Sequence, residues 1–159
     1  MAIREIRRDE VDRVTDMYLD FCRRLSERDA DMGVPKREPI YRWVVRTTET
    51  DDAVCLVSEA GGTIEGYLIA SVSRHPAMPG VLGMLEELHV PPGEQEDRCK
   101  RDLAAAGIEW ARERGASPIQ TTVGLGAPWT EDDLGFWTSI GFEHDQALVT
   151  RYFLEDEGC

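Results

Sequence analysis

The sequence is poor in the groups that build metal centres. Its four cysteines, Cys22, Cys55, Cys99 and Cys159, include no C-x-x-C pair, and its three histidines, His75, His89 and His144, are scattered. Neither spacing matches the paired ligands of a structural zinc, so no metal site is expected. No apolar run approaches the roughly 20 residues needed to span a bilayer, and the opening MAIREIRRDEVDR has no apolar core of a secretion signal. These absences predict a cytoplasmic chain with reduced thiols. Lysine is also scarce, with Lys36 and Lys100 the only two. Positive charge as a whole is outweighed: 18 Lys and Arg stand against 31 Asp and Glu, a formal net charge of -13. That balance repels nucleic-acid phosphates and anionic membranes, and argues against both as partners.

What remains is the make-up of an ordinary folded domain, 42% hydrophobic and 31% charged. A chain of 159 residues is long enough to bury a core without staples and too short for two ordinary domains, so 1–159 is expected to form one.

Residues 2–7 suggest a short strand. After Asp9 the apolar positions Val11, Val14, Met17, Tyr18, Phe21 and Leu25 follow helical spacing, and Asp9 is the expected cap. Gly33, Pro35 and Pro39 break that pattern before Ile40, Trp43, Val44 and Thr47 resume it in a shorter helix. AVCLVSEA and GYLIASVS flank Gly61-Gly62, a dipeptide that readily takes positive φ, and so read as a hairpin. MLEELHV is a further strand. Strict alternation there places Glu86 on one face with Met84, Leu88 and Val90, and Glu87 on the other with Leu85 and His89. After Pro91-Pro92-Gly93, helical spacing of Cys99, Leu103, Ala106, Gly107, Trp110 and Ala111 runs to a Gly115 cap. PIQTTVGL is the next strand. Thr130 and Asp133 then resemble a capping box opening a short helix that Gly141 stops, and ALVTRYFL alternates as a last strand.

The resulting order is β-α-α-β-β-β-α-β-α-β. With LEELHVPP leading into a helix containing IEWARERGA, and a later FWTSIGF, it resembles the GNAT superfamily of N-acetyltransferases over nearly the whole chain. The resemblance implies an α/β fold of the α+β, mixed-sheet kind: a strongly bent mixed sheet flanked by helices, its fourth and fifth strands splayed around the pantetheine arm of an acyl-coenzyme A. It implies acetyl-CoA as cosubstrate, an amine as acceptor and a homodimer as candidate assembly. The pyrophosphate would meet the N-terminus of the helix after the fourth strand, where backbone N–H groups lack intrahelical partners.

The family's phosphate motif falls on Gln95, Glu96, Asp97, Arg98, Cys99, Lys100 and the adjoining Arg101, but only Gln95 fits it. Arg98 and Lys100 occupy the two glycine positions, and Glu94, Glu96 and Asp97 add carboxylates. The cationic side chains of Arg98, Lys100 and Arg101 offer a substitute for the glycines, or are merely the solvated face of the helix. Glu86 and Glu87 fall where many members carry acidic residues that deprotonate or position the amine, and the backbone of Leu88, His89 and Val90 where the thioester carbonyl is polarised. The bland alternative is one solvated and one ion-paired carboxylate on an ordinary strand. Trp137 stands where the family often has a Tyr that protonates the departing thiolate. An indole N–H is too weak an acid for that, although a thiolate with a reference pKa of about 8.5 can take its proton from water. Two readings therefore stay open: an acyl-CoA-dependent N-acyltransferase, or a non-catalytic binding or interaction module on the same fold.

Overall fold

A computed structural model describes residues 1–28, 33–74, 79–122 and 131–143. They fall in two compact units, 1–129 and 130–159. In the first, β1 (Ala2–Glu5) leads through a 3-10 turn (Arg8–Glu10) into α1 (Val11–Arg28), followed by α2 (Arg37–Arg46). Then come β2 (Ala53–Ala60), β3 (Thr63–Ser73), β4 (Val81–His89), α3 (Glu96–Glu113) and β5 (Ala116–Thr121). The strands form one mixed sheet in the order β1-β2-β3-β4-β5. Its first three pairings are antiparallel, and β4 with β5 is parallel.

Local sequence accounts for most boundaries. Gly61 and Gly62 take φ of 57° and 80°, the doubly positive turn that lets β2 and β3 pair directly. Gly115, at φ 78°, ends α3. Asp9 does not cap α1: the Glu10 carboxylate receives the Arg7 backbone N–H at 2.9 Å, and the 3-10 turn carries the chain into the helix.

The sheet is covered on both sides. On one, α1 and α2 bury Val11, Val14, Met17 and Val44 against Cys55, Val57, Tyr67 and Ile69. On the other, α3 lies so close that a Cβ at Gly107 would come within 2.6 Å of Leu68 and 3.3 Å of Leu85. Alternate residues of each strand therefore serve different cores, and any break in alternation moves a side chain from one layer to the other.

In the second unit α4 spans Glu131–Ser139, and Gly141 turns the chain at φ 95°. Trp137 packs edge-on against Phe136 and Phe142, with ring centroids 5.1 Å apart in each pair. The expected cap at Thr130 and the last strand lie outside the described residues, and so does the side chain of Asp133.

Candidate active site

Two irregularities of β4 make the candidate site. Against β5 its register runs, among the described residues, from Val81↔Ala116 to Leu85↔Thr121. The last rung is closed by the Thr121 hydroxyl, which donates to the Leu85 carbonyl at 2.9 Å. From Glu86 onward β4 is paired only on its β3 side among the described residues.

The second irregularity corrects the expected alternation. On the β3 side Leu85 pairs with Ala70 and Glu87 with Ile69, so Glu86 is an extra residue with no partner of its own. This is a β-bulge, which breaks alternation at one point. Leu85 and Leu88 oppose Ala70 and Leu68 on the α3 side, whereas Glu87 and His89 oppose Ile69 and Tyr67 on the α1/α2 side. Glu86 turns to the α1/α2 side as well, where it meets α2. Both carboxylates therefore share a face, contrary to the pattern of strict alternation.

Their surroundings differ. Glu86 is held by two donors: Trp43 Nε1 of α2 at 2.9 Å to one oxygen, and Ser71 Oγ of β3 to the other. Trp43 is fixed in turn by Tyr18 of α1, with centroids 5.5 Å apart and an edge-on geometry. Glu87 has no hydrogen bond or ion pair among the described residues, and burial alone pushes its carboxyl up to about 7. A group so placed exchanges protons near neutrality. Tyr67 and Tyr18 lie around it, their hydroxyls pushed up first by burial and then by negative neighbours that include Glu87. Trp43, Ser71 and Tyr67 were not singled out from sequence. Their roles depend on contacts across 15 to 43 residues of chain, which no local pattern records.

His89 is buried at the end of β4, 4.9 Å from Phe21 and 5.7 Å from Tyr67 between ring centroids. Burial, aided by Arg24 and Lys100, pushes it down to about 4 and keeps it neutral. Val90 is also buried. Leu88 faces α3, in register with Leu68.

The start of α3 has two free backbone donors. Glu96 N–H bonds the Gly93 carbonyl and Cys99 N–H the Gln95 carbonyl, leaving the N–H groups of Asp97 and Arg98 without an acceptor among the described residues. Gln95 makes no side-chain cap bond, so nothing of its own covers them. The side chains of the motif are largely committed elsewhere. Lys100 Nζ pairs with Glu96 at 2.5 Å, and Arg98 lies 3.8 Å from Asp102. Cys99 is buried with its sulfur 3.2 Å from where a Cβ on Gly66 would sit. With its N–H used as well, it supports the turn from beneath and has nothing left to offer a ligand.

Two hollows elsewhere in the first unit leave the two carboxylates out, although the second reaches Ser71. One of ≈ 400 Å³ lies around Thr47, Asp51 and Arg114, another of ≈ 630 Å³ around Arg46, Ser73 and Val81, and neither is lined by Glu86 or Glu87. Among the described residues no His, Cys, Asp or Glu cluster is placed to hold a metal, and no helix is long and apolar enough to cross a membrane.

No family model and no curated protein matches the sequence, but solved structures match its fold. AAC(6')-Iy, in complex with the bisubstrate analogue CoA-S-monomethyl-acetylneamine, superposes at a TM-score of 0.72 with 18% identity, covering 96% of this chain and 98% of its own. An aminoglycoside acetyltransferase from an uncultured soil metagenomic sample, in complex with sisomicin, gives 0.67 at 15% identity over 97% and 96%. A transcriptional regulator from Bacillus halodurans gives 0.71 at 19% identity over 96% and 99%. The chain has the fold of the GNAT superfamily of N-acetyltransferases, the mixed sheet with flanking helices that its element order implies.

Proposed function

We propose that the protein is an acyl-CoA-dependent N-acyltransferase that transfers an acetyl group directly from thioester to amine. The observation carrying this reading is a half-buried carboxyl on β4, Glu87, just past the last described rung with β5, without a partner among the described residues and poised near neutral pH. Solved structures of this fold include one bound to a coenzyme A-linked bisubstrate analogue, which supports the donor side of the proposal.

The residues at hand suit each part of the task. The backbone edge of β4 beyond Leu85, unpaired on its β5 side among the described residues, would pair with the amides of the pantetheine arm, and N–H groups among Leu88, His89 and Val90 would polarise the thioester carbonyl. Gln95 and the free N–H groups at the start of α3 would take the pyrophosphate. Glu96 and Asp97 oppose an anion there, and Arg98, Lys100 and Arg101 offset them only if Lys100 leaves Glu96. Weak binding of the donor follows.

On the acceptor side, Glu86, fixed by Trp43 and Ser71, would hold the incoming ammonium, and Glu87 would take its proton. The neutral amine then attacks the thioester carbon, the C–S bond breaks, and the thiolate leaves. The second amine proton and that on Glu87 are released to the thiolate and to water, so one amide, one thiol and one proton are formed. Net charge favours a cationic acceptor. Titration with acetyl-CoA, followed by thiol release with a panel of primary amines, tests the reading. Micromolar binding and amine-dependent thiol release are expected, and a folded protein that binds neither acetyl-CoA nor coenzyme A would refute it.

The alternative, a non-catalytic module, rests on the replaced glycines, and a regulator from Bacillus halodurans with the same fold lends it support. Binding without thiol release across the panel would favour it.

A further inference from the structure

Three buried polar atoms lack a hydrogen-bond partner among the described residues: Ser58 Oγ, Tyr67 Oη and His89 Nε2. Ser58 lies on the α3 face, beside Cys99. The other two sit together on the α1/α2 face, on residues directly paired across β3 and β4. Tyr67 is fully buried. A phenylalanine would fill the same volume without the cost, about 1–3 kcal/mol, of burying an unpaired hydroxyl, so the hydroxyl calls for an explanation.

Glu87 provides one. It pairs with Ile69, two residues along β3 from Tyr67 on the same face, which makes Tyr67 and Glu87 diagonal neighbours. Long side chains reach each other across such a diagonal. A donor without an acceptor therefore lies beside an acceptor without a donor. We propose that Tyr67 is the positioning residue for Glu87, directing its hydroxyl proton at the core-facing carboxylate oxygen over one hydrogen bond or one bridging water, and leaving the other oxygen for the substrate amine. For its catalytic meaning the proposal rests on the acyltransferase reading.

The bond would do two things. It fixes the carboxylate plane, which the bulge alone leaves free to rotate, and it favours the ionised form against the effect of burial. Other groups facing Glu87 are Tyr18 and Cys22 from α1, Trp43 from α2, and Glu86 and His89 on its own strand. Tyr18 is engaged with Cys22 and Trp43 with Glu86. The neutral ring of His89 keeps one N–H, so Tyr67 and His89 are the two donors left on this face among the described residues, and Tyr67, the cross-strand diagonal neighbour of Glu87, takes the role.

The test needs no substrate for its first arm. In protein with 13C-labelled glutamate carboxyls, Glu87 is titrated in wild type and in Tyr67→Phe. Loss of the donor should raise its pKa by about one unit, a tenfold shift in the proton equilibrium, while Tyr18→Phe should leave it nearly unchanged. In wild type alone the 13Cζ signal of Tyr67 should follow the Glu87 titration and stop doing so in Glu87→Gln, which covers the case in which Tyr67→Phe fails to fold. In the second arm the acid limb of the kcat/KM profile should move up with the same shift, with activity recovering at higher pH. A Glu87 pKa unmoved in Tyr67→Phe, or a Tyr67 signal indifferent to pH, overturns the proposal, and so does an acid limb that stays in place while the pKa moves. Intact coupling in a protein that releases no thiol with any amine would instead overturn the acyltransferase reading.

Discussion

Glu10 and Glu87 are both largely shielded carboxylates close to the sheet, and they have been driven in opposite directions. Glu10 is enclosed by Arg4, which also reaches Glu59, and by Arg7, in contacts of 2.5 to 2.8 Å. The hydrogen bond from Arg4 pushes its carboxyl down to about 2. Glu87 has no cation among the described residues, and burial pushes it up to about 7. Residue type is the same, but Glu87 lies deeper and is shifted by burial alone, whereas at Glu10 the hydrogen bond from Arg4 outweighs a smaller burial effect, so depth and partner together decide. The paired carboxylate pins β1 to β2 and to the start of α1; the unpaired one costs stability and stays reactive, which is what a proton acceptor requires.

The largest effect should come from removing the reactive member. Glu87→Gln is expected to slow amine-dependent thiol release by about 10²–10⁴-fold while leaving acetyl-CoA affinity unchanged, as read by thiol detection and calorimetry. Next is the pH dependence of stability, where the two groups have opposite signs. Glu10 is depressed in the fold, so its contribution is present above about 4.5 and lost as pH falls toward 2. Glu87 is raised, so its favourable term is present below about 4.5 and lost as pH rises through 7, by roughly 2–3 kcal/mol. Urea denaturation across that range should show stability falling toward pH 7, and Glu87→Gln should flatten the fall.

Arg4→Ala should cost about 2 kcal/mol, since it leaves two partly buried carboxylates without their shared cation, and should move acid unfolding to higher pH. A smaller change is expected from Trp43→Phe, which removes one of the two donors on Glu86 and should raise KM for the amine by a few fold, about 1 kcal/mol, with kcat nearly intact. Smallest of all, Glu96→Gln should release Lys100 and tighten acetyl-CoA binding by roughly threefold, within the usual worth of an exposed ion pair. A wild-type affinity in the variant would mean that Lys100 does not reach the phosphates.

Much of this was legible in the sequence where the cause is local. The Gly61-Gly62 hairpin and the ends of the long and last helices at Gly115 and Gly141 follow from residues that tolerate positive φ, and each was expected from a few neighbouring letters. Glu86 and Glu87 were also singled out, by resemblance. Their geometry was not legible: alternation is a two-residue rule, and nothing in MLEELHV announces that it is broken at Glu86. That information lies in the pairing with β3, fifteen or more residues away. Helical spacing already put Cys99 on the apolar face, where it is buried, but the letters QEDRCK could not reveal that Lys100 is occupied. Tyr67 and Trp43 read as ordinary apolar periodicity, because a polar tip on an aromatic ring leaves no trace in a hydrophobic pattern.

The bulge at Glu86 also works as a phase slip. Before it, β4 is paired on both sides and is structural mortar; after it, alternation resumes one residue out of phase, with pairing to β3 alone among the described residues. Deleting that single residue would let Glu87 follow Leu85 directly, still opposite Ile69 on the α1/α2 face, and would put the strand back in step with β3. One inserted letter thus adds a second carboxylate to the α1/α2 face, and a deletion there would take away Glu86, which would hold the ammonium, while leaving Glu87 in place to receive its proton.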